Sequence, residues 1–451
     1  MDFLYCIIYL CFAWITFRAL YFFAGRSKAI PRIRLPPGPK PFPLIGNLFE
    51  LGDKPHLYLT KLSQRYGPII SLQLGQLTTV VISTPTLAKE ILRTHDHVFS
   101  NRTIPDAAHA GKHSEYSLGW LPVSARWRNL RTICNLQLFS PKVLDANQAN
   151  RHVKVQKLID DVNESMRAGE AIDIGRAAFT TTLNLMSQTI LSVDLADQSS
   201  EMAGEFKKTV WCMVEEIAKP NLADYFPLLR KVDPQGIRRR MTYYFQKTIL
   251  IFDRMIQQRE NINMPEIQHL ILDLFSAGTD TSSATMEWAM AELLRNPEVL
   301  SKAQAELEQV IGKGKLVEES DIAQLPYLKA IIKENFRLHP TVPLLLPRKA
   351  EADVEIEGYI VPKGAQVLVN AWAIGRDPST WDNPNLFRPE RRICPGLPLA
   401  KRMLPSMLGS LINCFDWKLE DGFVPETMNM KEKFGLTLHM AQPLRAVPKK
   451  S

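Results

Sequence analysis

The sequence predicts a mainly α-helical protein of the α+β class, with a small antiparallel β region, behind an N-terminal membrane anchor. Three observations support this: helical periodicity fills most of the chain, β-branched residues concentrate in two short segments, and the first 25 residues are largely apolar. We expect an anchor at 1–25, a basic and proline-rich hinge at 26–47, and one large domain at 48–451.

The anchor is predicted from Phe3 to Ala24, since about 20 apolar residues span a bilayer. Arg18 interrupts this segment and is tolerated where its side chain reaches an interface. Several basic residues follow the segment and none precedes it, which places the large domain in the cytosol. A cleaved secretory signal is the alternative, but such signals usually begin with basic residues.

The hinge contains a dense run of prolines from Leu35 to Pro43. Prolines at this density enforce an extended polyproline geometry, which makes the segment a semi-rigid spacer. A ligand for an SH3-type domain is the competing interpretation, and the position directly after an anchor favours the spacer.

Two segments of the large domain have the composition of β-hairpins. The first runs from Ile69 to Ile82 and is broken by Gly75, and the second runs from Val354 to Val369 with a turn at 362–364. A long apolar helix is predicted from about Ile267 to Arg295. Another helix begins at Pro297 and ends before Gly312.

Composition excludes several classes of protein. The chain has 451 residues and a formal net charge of +8, but its basic residues are scattered and no nucleic-acid-binding pattern is present. Its six cysteines include no C-x-x-C pair, so neither a zinc cage nor a disulfide framework is indicated, and a reducing compartment is favoured. The positive charge is compatible with a solvated surface, with a membrane or with an acidic partner.

Cys394 lies in a distinctive setting, just before a predicted apolar helix from Leu397 to Leu411. Free amides and the positive dipole end of a helix N-terminus favour a thiolate. Gly396 allows close backbone approach, and Arg392 is suited to an acidic cofactor edge. Taken alone, a cysteine in such a position is more often a structural core residue.

Four further motifs favour a functional role for Cys394 over a structural one. The stretch Ala277-Gly278-Thr279-Asp280-Thr281 lies within the long helix, where it is either a tolerated weak spot or a bulge that makes room for O2. Glu334-x-x-Arg337 is an i,i+3 ion pair, which is usually exposed and contributes little to stability. Trp127-x-x-x-Arg131 puts two donors suited to carboxylates on one helical face, with core packing as the alternative. Phe387-x-Pro-Glu-Arg391 precedes the cysteine.

The order of these motifs along the chain resembles that of the cytochromes P-450, and the resemblance covers essentially the whole sequence. Within that superfamily the chain is similar to plant microsomal terpenoid hydroxylases related to geraniol hydroxylase and ferruginol synthase. The stretches that carry this similarity include LPPGPKPFPLIGN, LPVSARWRNLR, NLADYFPLLRKVDPQGI, LDLFSAGTDTSS and RLHPTVPLLLPRKA.

The resemblance implies a P-450 fold and a haem-thiolate monooxygenase that inserts one oxygen atom of O2 into a small apolar substrate, plausibly a terpenoid. Cys394 would supply the axial thiolate to the iron of haem b. Asp280 and Thr281 match the oxygen-activating pair, and Glu334 and Arg337 match a structural network. The remaining cofactor-binding positions are Trp127, Arg131, Ala277, Gly278, Arg348, Arg392 and Gly396.

The resemblance also implies partners and a location. Electrons would come from NADPH through a flavoprotein NADPH-cytochrome reductase, which would dock on a basic face formed by Arg388, Arg392, Lys401 and Arg402. The implied location is the endoplasmic reticulum membrane, with a single-pass anchor and a cytosolic catalytic domain.

The sequence departs from the family pattern directly before the cysteine. The family has a meander of some tens of residues after F-x-P-E-R, whereas here Pro389-Glu390 runs straight into Arg391-Arg392-Ile393-Cys394. A ligand loop must position its thiolate closely and exclude water. A haem-deficient pseudoenzyme, or a nonfunctional splice or gene-model variant, is therefore the alternative to a working monooxygenase.

Overall fold

The computed structural model describes residues 34–191, 201–217, 219–256, 265–387, 398–420 and 423–450, together with Tyr9 and Thr16. The predicted anchor lies almost entirely outside these residues, as does the loop that contains Arg392, Cys394 and Gly396. Within the described part of the chain, no helix is both long and apolar enough to cross a membrane.

Helices dominate the described residues, as the sequence predicts. In chain order the α-helices are α1 (Pro55–Tyr66), α2 (Pro85–Lys89), α3 (Asp96–Phe99), α4 (Ala125–Ile133), α5 (Pro141–Ala146), α6 (Gln148–Ala168), α7 (Ile174–Leu191), α8 (Glu201–Ile217), α9 (Leu222–Tyr225), α10 (Ile237–Ile256), α11 (Pro265–Arg295), α12 (Pro297–Ile311), α13 (Pro326–Leu338), α14 (Ala371–Ile374) and α15 (Ala400–Cys414).

The β structure is small and divided among short sheets. The strands are β1 (Ile69–Leu74), β2 (Leu77–Ile82), β3 (Ile172–Asp173), β4 (Arg348–Lys349), β5 (Val354–Ile356), β6 (Tyr359–Val361), β7 (Gln366–Val369), β8 (Phe415–Leu419), β9 (Glu432–Lys433), β10 (His439–Met440) and β11 (Arg445–Lys450). The largest sheet has the order β1-β2-β7-β4.

The first predicted hairpin is confirmed, whereas the turn of the second hairpin is predicted at the wrong residues. Ile69 pairs with Ile82 across β1 and β2, and Gly75 has the positive φ of 57° that such a turn needs. In the second segment β5 pairs with β6 through Glu357 and Gly358 rather than through 362–364. The chain then leaves that hairpin, and β7 pairs with β2 in parallel, an exception to the expected antiparallel pattern.

Helix α11 forms the centre of the main hydrophobic core. It begins at Pro265, a residue pre-organised for the first helical turn, and α12 starts directly after it at Pro297. Trp288 of α11 is fully buried, and its indole N–H donates to the Leu438 carbonyl oxygen at 2.9 Å. Truncation of a buried tryptophan costs about 3–5 kcal/mol, so this residue alone ties α11 strongly to the segment before β10.

Candidate functional site

Helix α11 has one exposed position in the middle of its buried length. Ala277 is exposed and Thr281 is half-buried, whereas Phe275 and Thr279 are fully buried. The Thr281 hydroxyl donates to the Ala277 carbonyl oxygen at 2.5 Å. The predicted interruption is not a break, because every residue of α11 is α-helical, although hydroxyls bonded back in this way bend helices.

Gly278 is closely packed against α7 on a different face of the same helix. A Cβ atom at Gly278 would lie 3.0 Å from the Met186 Cε atom. The glycine therefore lets α11 approach α7 more closely than alanine would. The Ser282 hydroxyl donates to the Gly278 carbonyl oxygen at 2.7 Å, so the carbonyl remains satisfied.

Trp127 and Arg131 lie on one face of α4, as the sequence predicts. The Arg131 guanidinium carbon is 5.7 Å from the centroid of the Trp127 ring, and Arg131 is exposed. The helix is started by Ser124, whose hydroxyl oxygen accepts from the Trp127 amide at 3.3 Å. Leu130 packs with Leu270 in a small apolar cluster that joins α4 to α11.

Arg348 on β4 lies next to a second arginine, Arg102, across an isolated antiparallel bridge. Arg348 donates to the Phe99 carbonyl oxygen at 2.8 Å, and Arg102 donates to the Leu346 carbonyl oxygen at 3.1 Å. The Nε atom of Arg348 is buried and has no hydrogen-bond partner among the residues that the structure describes. Neither arginine forms an ion pair with a carboxylate of the described residues.

The surroundings of the two guanidinium groups disfavour their positive charge. Burial, and then the charge of Arg348, lowers the pKa of Arg102 to about 10. Burial also lowers the pKa of Arg348, with Asp96 opposing it. Two half-buried cations side by side with a free donor are suited to an acidic group that enters from outside the chain.

Asn101 connects the arginine pair to α4. Its carbonyl oxygen accepts from the Lys349 amide at 3.0 Å, and its side-chain oxygen accepts from the Val123 amide at 3.3 Å. Asn101 therefore links Lys349, the residue after Arg348 on β4, to Val123, which lies two residues before the start of α4.

Asp280 is buried, and its partner is a histidine that the sequence did not predict. The Nε2 atom of His439 lies 3.3 Å from each carboxylate oxygen of Asp280. Burial lowers the pKa of His439, but the hydrogen bond and charge of Asp280 outweigh burial and leave that pKa raised. An imidazolium–carboxylate pair is thus favoured here.

Glu334 and Arg337 form a buried ion pair rather than the exposed pair that is usual at this spacing. Two Arg337 nitrogens donate to the two Glu334 carboxylate oxygens at 2.8 and 2.7 Å. The same guanidinium donates to the carbonyl oxygens of Gly375, Pro384 and Leu386 at 2.6, 2.6 and 2.9 Å. The pair therefore fixes the chain that follows α14.

The expected basic docking face is altered by a local ion network. Arg402 donates to Asp145 at 2.6 Å and to Glu319 at 3.1 Å, so its charge is already neutralised. Glu319 also accepts from the buried Arg151 at 2.5 and 2.9 Å. Of the four expected residues, Arg388 and Arg392 lie outside the described residues, and Lys401 is exposed.

Sequence comparison places these elements in a known family. The sequence model of the family described as Cytochrome P450 matches residues 36–264 and 249–391 of this chain. The chain belongs to the cytochrome P450 family. This P450 is therefore a haem-dependent oxidoreductase of the monooxygenase class, with haem b as its cofactor.

Curated relatives match this P450 along its whole length. Geraniol 8-hydroxylase of Swertia mussotii is 52% identical over 493 positions, and that of Catharanthus roseus is 50% identical over 495; each alignment covers 99% of both chains. Drimenol monooxygenase of Persicaria hydropiper is 44% identical over 496 positions, covering 99% of this chain and 97% of the relative.

The alignments also show that this chain is shorter than its relatives. The first alignment has 493 positions and the chain has 451 residues, so at least 42 positions (493 − 451) of that relative have no counterpart here. The family match ends at residue 391, at the point where the sequence lacks the expected meander before Cys394.

The described residues fit the acidic edge and the distal face of a haem. Arg348 has a buried donor without a partner, Arg102 lies beside it, and neither has a carboxylate partner among the described residues. Ala277 offers a small, exposed apolar surface on α11. Arg102 was missed by the sequence analysis, because the surrounding residues form no motif, and His439 was missed because its partner is 159 residues away.

Proposed function

We propose that this P450 hydroxylates a small terpenoid, using haem b held by Cys394 and by the arginine pair. The whole-length similarity to geraniol 8-hydroxylases carries the proposal, because their printed name refers to a terpene alcohol. The name of the Persicaria relative, drimenol monooxygenase, refers to a second one. When bound, the haem supplies the site at which O2 is bound and activated.

Each protein residue has a role in this proposal that follows from its chemistry. Arg102, Arg348 and Arg131 would donate to the haem carboxylates, and the Trp127 indole is a further donor. Cys394, as a thiolate, would ligate the iron, with Arg392 and Gly396 shaping its loop. Ala277 would present a small side chain to the haem, and Gly278 would support this position by letting α11 pack closely against α7.

Asp280 and Thr281 would transfer protons at the face of α11 that is proposed to lie next to the O2 site. The Thr281 hydroxyl is held by the Ala277 carbonyl oxygen and lies at the exposed face of α11. After rotation about its Cα–Cβ bond, this hydroxyl would be available to donate to a molecule outside α11. Asp280 is its neighbour in sequence, and its carboxylate accepts a hydrogen bond from His439.

An apolar substrate fits the stretches that surround this face. The Leu118 amide donates to Asp273 of α11 at 2.7 Å, and the Leu438 amide donates to the Thr341 carbonyl oxygen at 2.8 Å. The family resemblance implies four substrate-contact stretches, 101–119, 270–281, 341–346 and 434–439. These bonds connect the first stretch with the second and the third with the fourth. The Asp280–His439 pair joins the two halves, so the four stretches border one region.

Membrane attachment is supported by exposed apolar side chains on one side of the large domain. Phe49 is 81% exposed and Leu228 is 74% exposed, and Phe42, Leu44 and Val232 are also exposed. The first group lies in 42–49 and the second in 228–232, and the β1–β2 turn lies between them. At that turn the Gly75 amide donates to the Ile45 carbonyl oxygen, and the Gln76 amide donates to the Tyr225 carbonyl oxygen. We propose that this surface lies on the endoplasmic reticulum membrane beside the 1–25 anchor, with the large domain in the cytosol.

The electron donor in this proposal is an NADPH-dependent flavoprotein reductase. It would contact the N-terminal end of α15, where Lys401 is exposed. Arg402 contributes little to this surface because Asp145 and Glu319 neutralise it. Salt should weaken docking through Lys401 and its neighbours.

The test is a reduced-plus-CO difference spectrum of the full chain in detergent, followed by turnover of geraniol with NADPH and a reductase. We expect the red-shifted Soret band of thiolate-ligated haem and a hydroxylated product. Cys394→Ser should abolish both, and Cys414→Ser is the matched control that should leave both intact. A Soret band that survives Cys394→Ser would contradict the assigned ligand.

A haem-deficient protein is the second candidate, favoured by the 42 or more missing alignment positions and by the family match that ends at residue 391. Inserting the meander of the Swertia enzyme after Glu390 tests it. If the wild type carries no haem and the insertion restores it, the second candidate holds. Equal haem content in the two proteins would leave the monooxygenase as the better description.

A further inference from the structure

A cavity of about 870 Å³ lies against α11 on the side of Asp280. Its α11 wall is formed by Asp280, Ser283, Ala284 and Glu287. These positions lie about 100° around the helix from Thr281, because successive residues of an α-helix advance by that angle. Asp280 therefore belongs to the wall of the cavity and is also the residue next to Thr281 in the sequence.

His439 and Asp280 both line this cavity, and His439 is the more exposed of the two. Its side chain is 30% exposed, whereas that of Asp280 is 6% exposed. Water in the cavity therefore reaches the imidazole more readily than the carboxylate. The 3.3 Å separation from both carboxylate oxygens is short enough for direct proton transfer after slight tightening.

A second titratable group, Glu287, lies on the same wall two turns further along α11. Burial raises the pKa of Glu287 to about 7, against a hydrogen bond from the Leu444 amide at 3.0 Å. The other charged residues that line the cavity are Asp173, Arg176, Lys208, Glu215, Lys219 and Lys433. Lys208 and Lys219 are exposed, so the cavity is bordered by groups in contact with solvent.

We propose that His439 is the proton-entry residue of this P450, passing protons from water in the cavity to Asp280, with Glu287 as a neighbouring proton reservoir. This inference rests on the proposed function, since Asp280 serves the oxygen side there. In each transfer the Nε2–H bond of the imidazolium breaks and an O–H bond forms on Asp280. The neutral Nε2 then accepts a proton from a hydronium ion that reaches it from bulk solvent through the cavity, which leaves water. The O–H bond on Asp280 breaks when its proton passes on towards Thr281.

The first test measures the pairing itself and needs no haem. Hydrogen–deuterium exchange at the histidine C2 position, followed by mass spectrometry across a pH series, gives the titration midpoint of His439. In Asp280→Asn we expect this midpoint to fall by about one pH unit, since a paired carboxylate is removed. An unchanged midpoint would overturn the proposal, whether or not the chain takes up haem.

The second test separates proton entry from a structural role in the haem-loaded enzyme. His439→Gln keeps a hydrogen-bond donor but cannot titrate, so the fraction of NADPH that yields product should fall several-fold, with more hydrogen peroxide released. The product yield per NADPH is the readout rather than substrate affinity, because His439 also ends one of the proposed substrate-contact stretches. Lys208→Gln, at the exposed rim of the cavity, is the matched control. Wild-type product yield per NADPH in His439→Gln would rule out the proton-entry role.

Discussion

Buried charges are paired in one region of the molecule and left without an ion pair in two others. On α13, Arg337 donates to Glu334 and to three carbonyl oxygens, and Glu334 is only 1% exposed. Among the described residues, the buried Nε atom of Arg348 on β4 has no partner, and Glu287 in the cavity wall forms no ion pair. The first arrangement is complete within the protein, and the second is suited to ligands or protons from outside.

The largest effect on stability is expected when the complete arrangement is broken. Arg337→Ala removes both hydrogen bonds that Arg337 donates to the buried Glu334 carboxylate and breaks a buried ion pair, which should lower the free energy of unfolding by about 3–5 kcal/mol. Urea unfolding followed by circular dichroism measures this. Arg337→Lys keeps the charge but loses the forked geometry, so an intermediate loss is expected. A fully stable Arg337→Ala protein would contradict the structural role.

A smaller, pH-dependent effect is expected at Glu287. Its folded pKa of about 7 lies above the usual value of 4.5, so the stabilisation from its neutral form is complete below pH 4.5 and is lost as pH rises through 7. Glu287→Gln should therefore raise the free energy of unfolding at pH 8, by up to about 3 kcal/mol, with little change at pH 4.

Unfolding of Glu287→Gln and wild type at both pH values measures that difference. Glu298→Gln, which removes the same charge from an exposed position on α12, is the control and should show no such pH dependence. An equal change at pH 4 and pH 8 would show that titration of Glu287 is not the cause.

The smallest effect on stability is expected at Arg348. Arg348→Gln removes a half-buried charge without an acidic partner, so the haem-free protein should change by less than about 1 kcal/mol. Haem content, measured as the pyridine haemochrome, should nevertheless fall clearly, and Arg348→Lys should retain part of it. Strong destabilisation with normal haem content would place Arg348 in the same class as Arg337.

The sequence predicted well the features that depend on local pattern. Helix α11 was expected from 267 to 295 and runs from 265 to 295, and the helix from Pro297 to the residue before Gly312 is confirmed. Both follow from apolar periodicity bounded by proline and glycine. The pairing of Trp127 with Arg131 on one face is a consequence of the same helical spacing.

The features that failed depend on contacts between distant residues. The turn of the second hairpin was misplaced because 362–364 has turn residues, and only the register with β2 reveals that β7 belongs to another sheet. The neighbour of Arg348 is Arg102, and the partner of Asp280 is His439. Such pairs carry no periodic signal in a single sequence. The proposed haem and substrate roles of the remaining site residues stay predictions.

Gly75 has a consequence for the orientation of the whole molecule. A Cβ atom there would lie 2.7 Å from the Tyr225 carbonyl oxygen and 3.0 Å from the Phe226 ring, at a φ that side chains disfavour. A methyl group at position 75 would therefore push the β1–β2 hairpin away from the segment that contains Leu228 and Val232. Because that segment and Phe49 are proposed to rest on the same lipid surface, a substitution at Gly75 would alter the tilt of the enzyme on the bilayer.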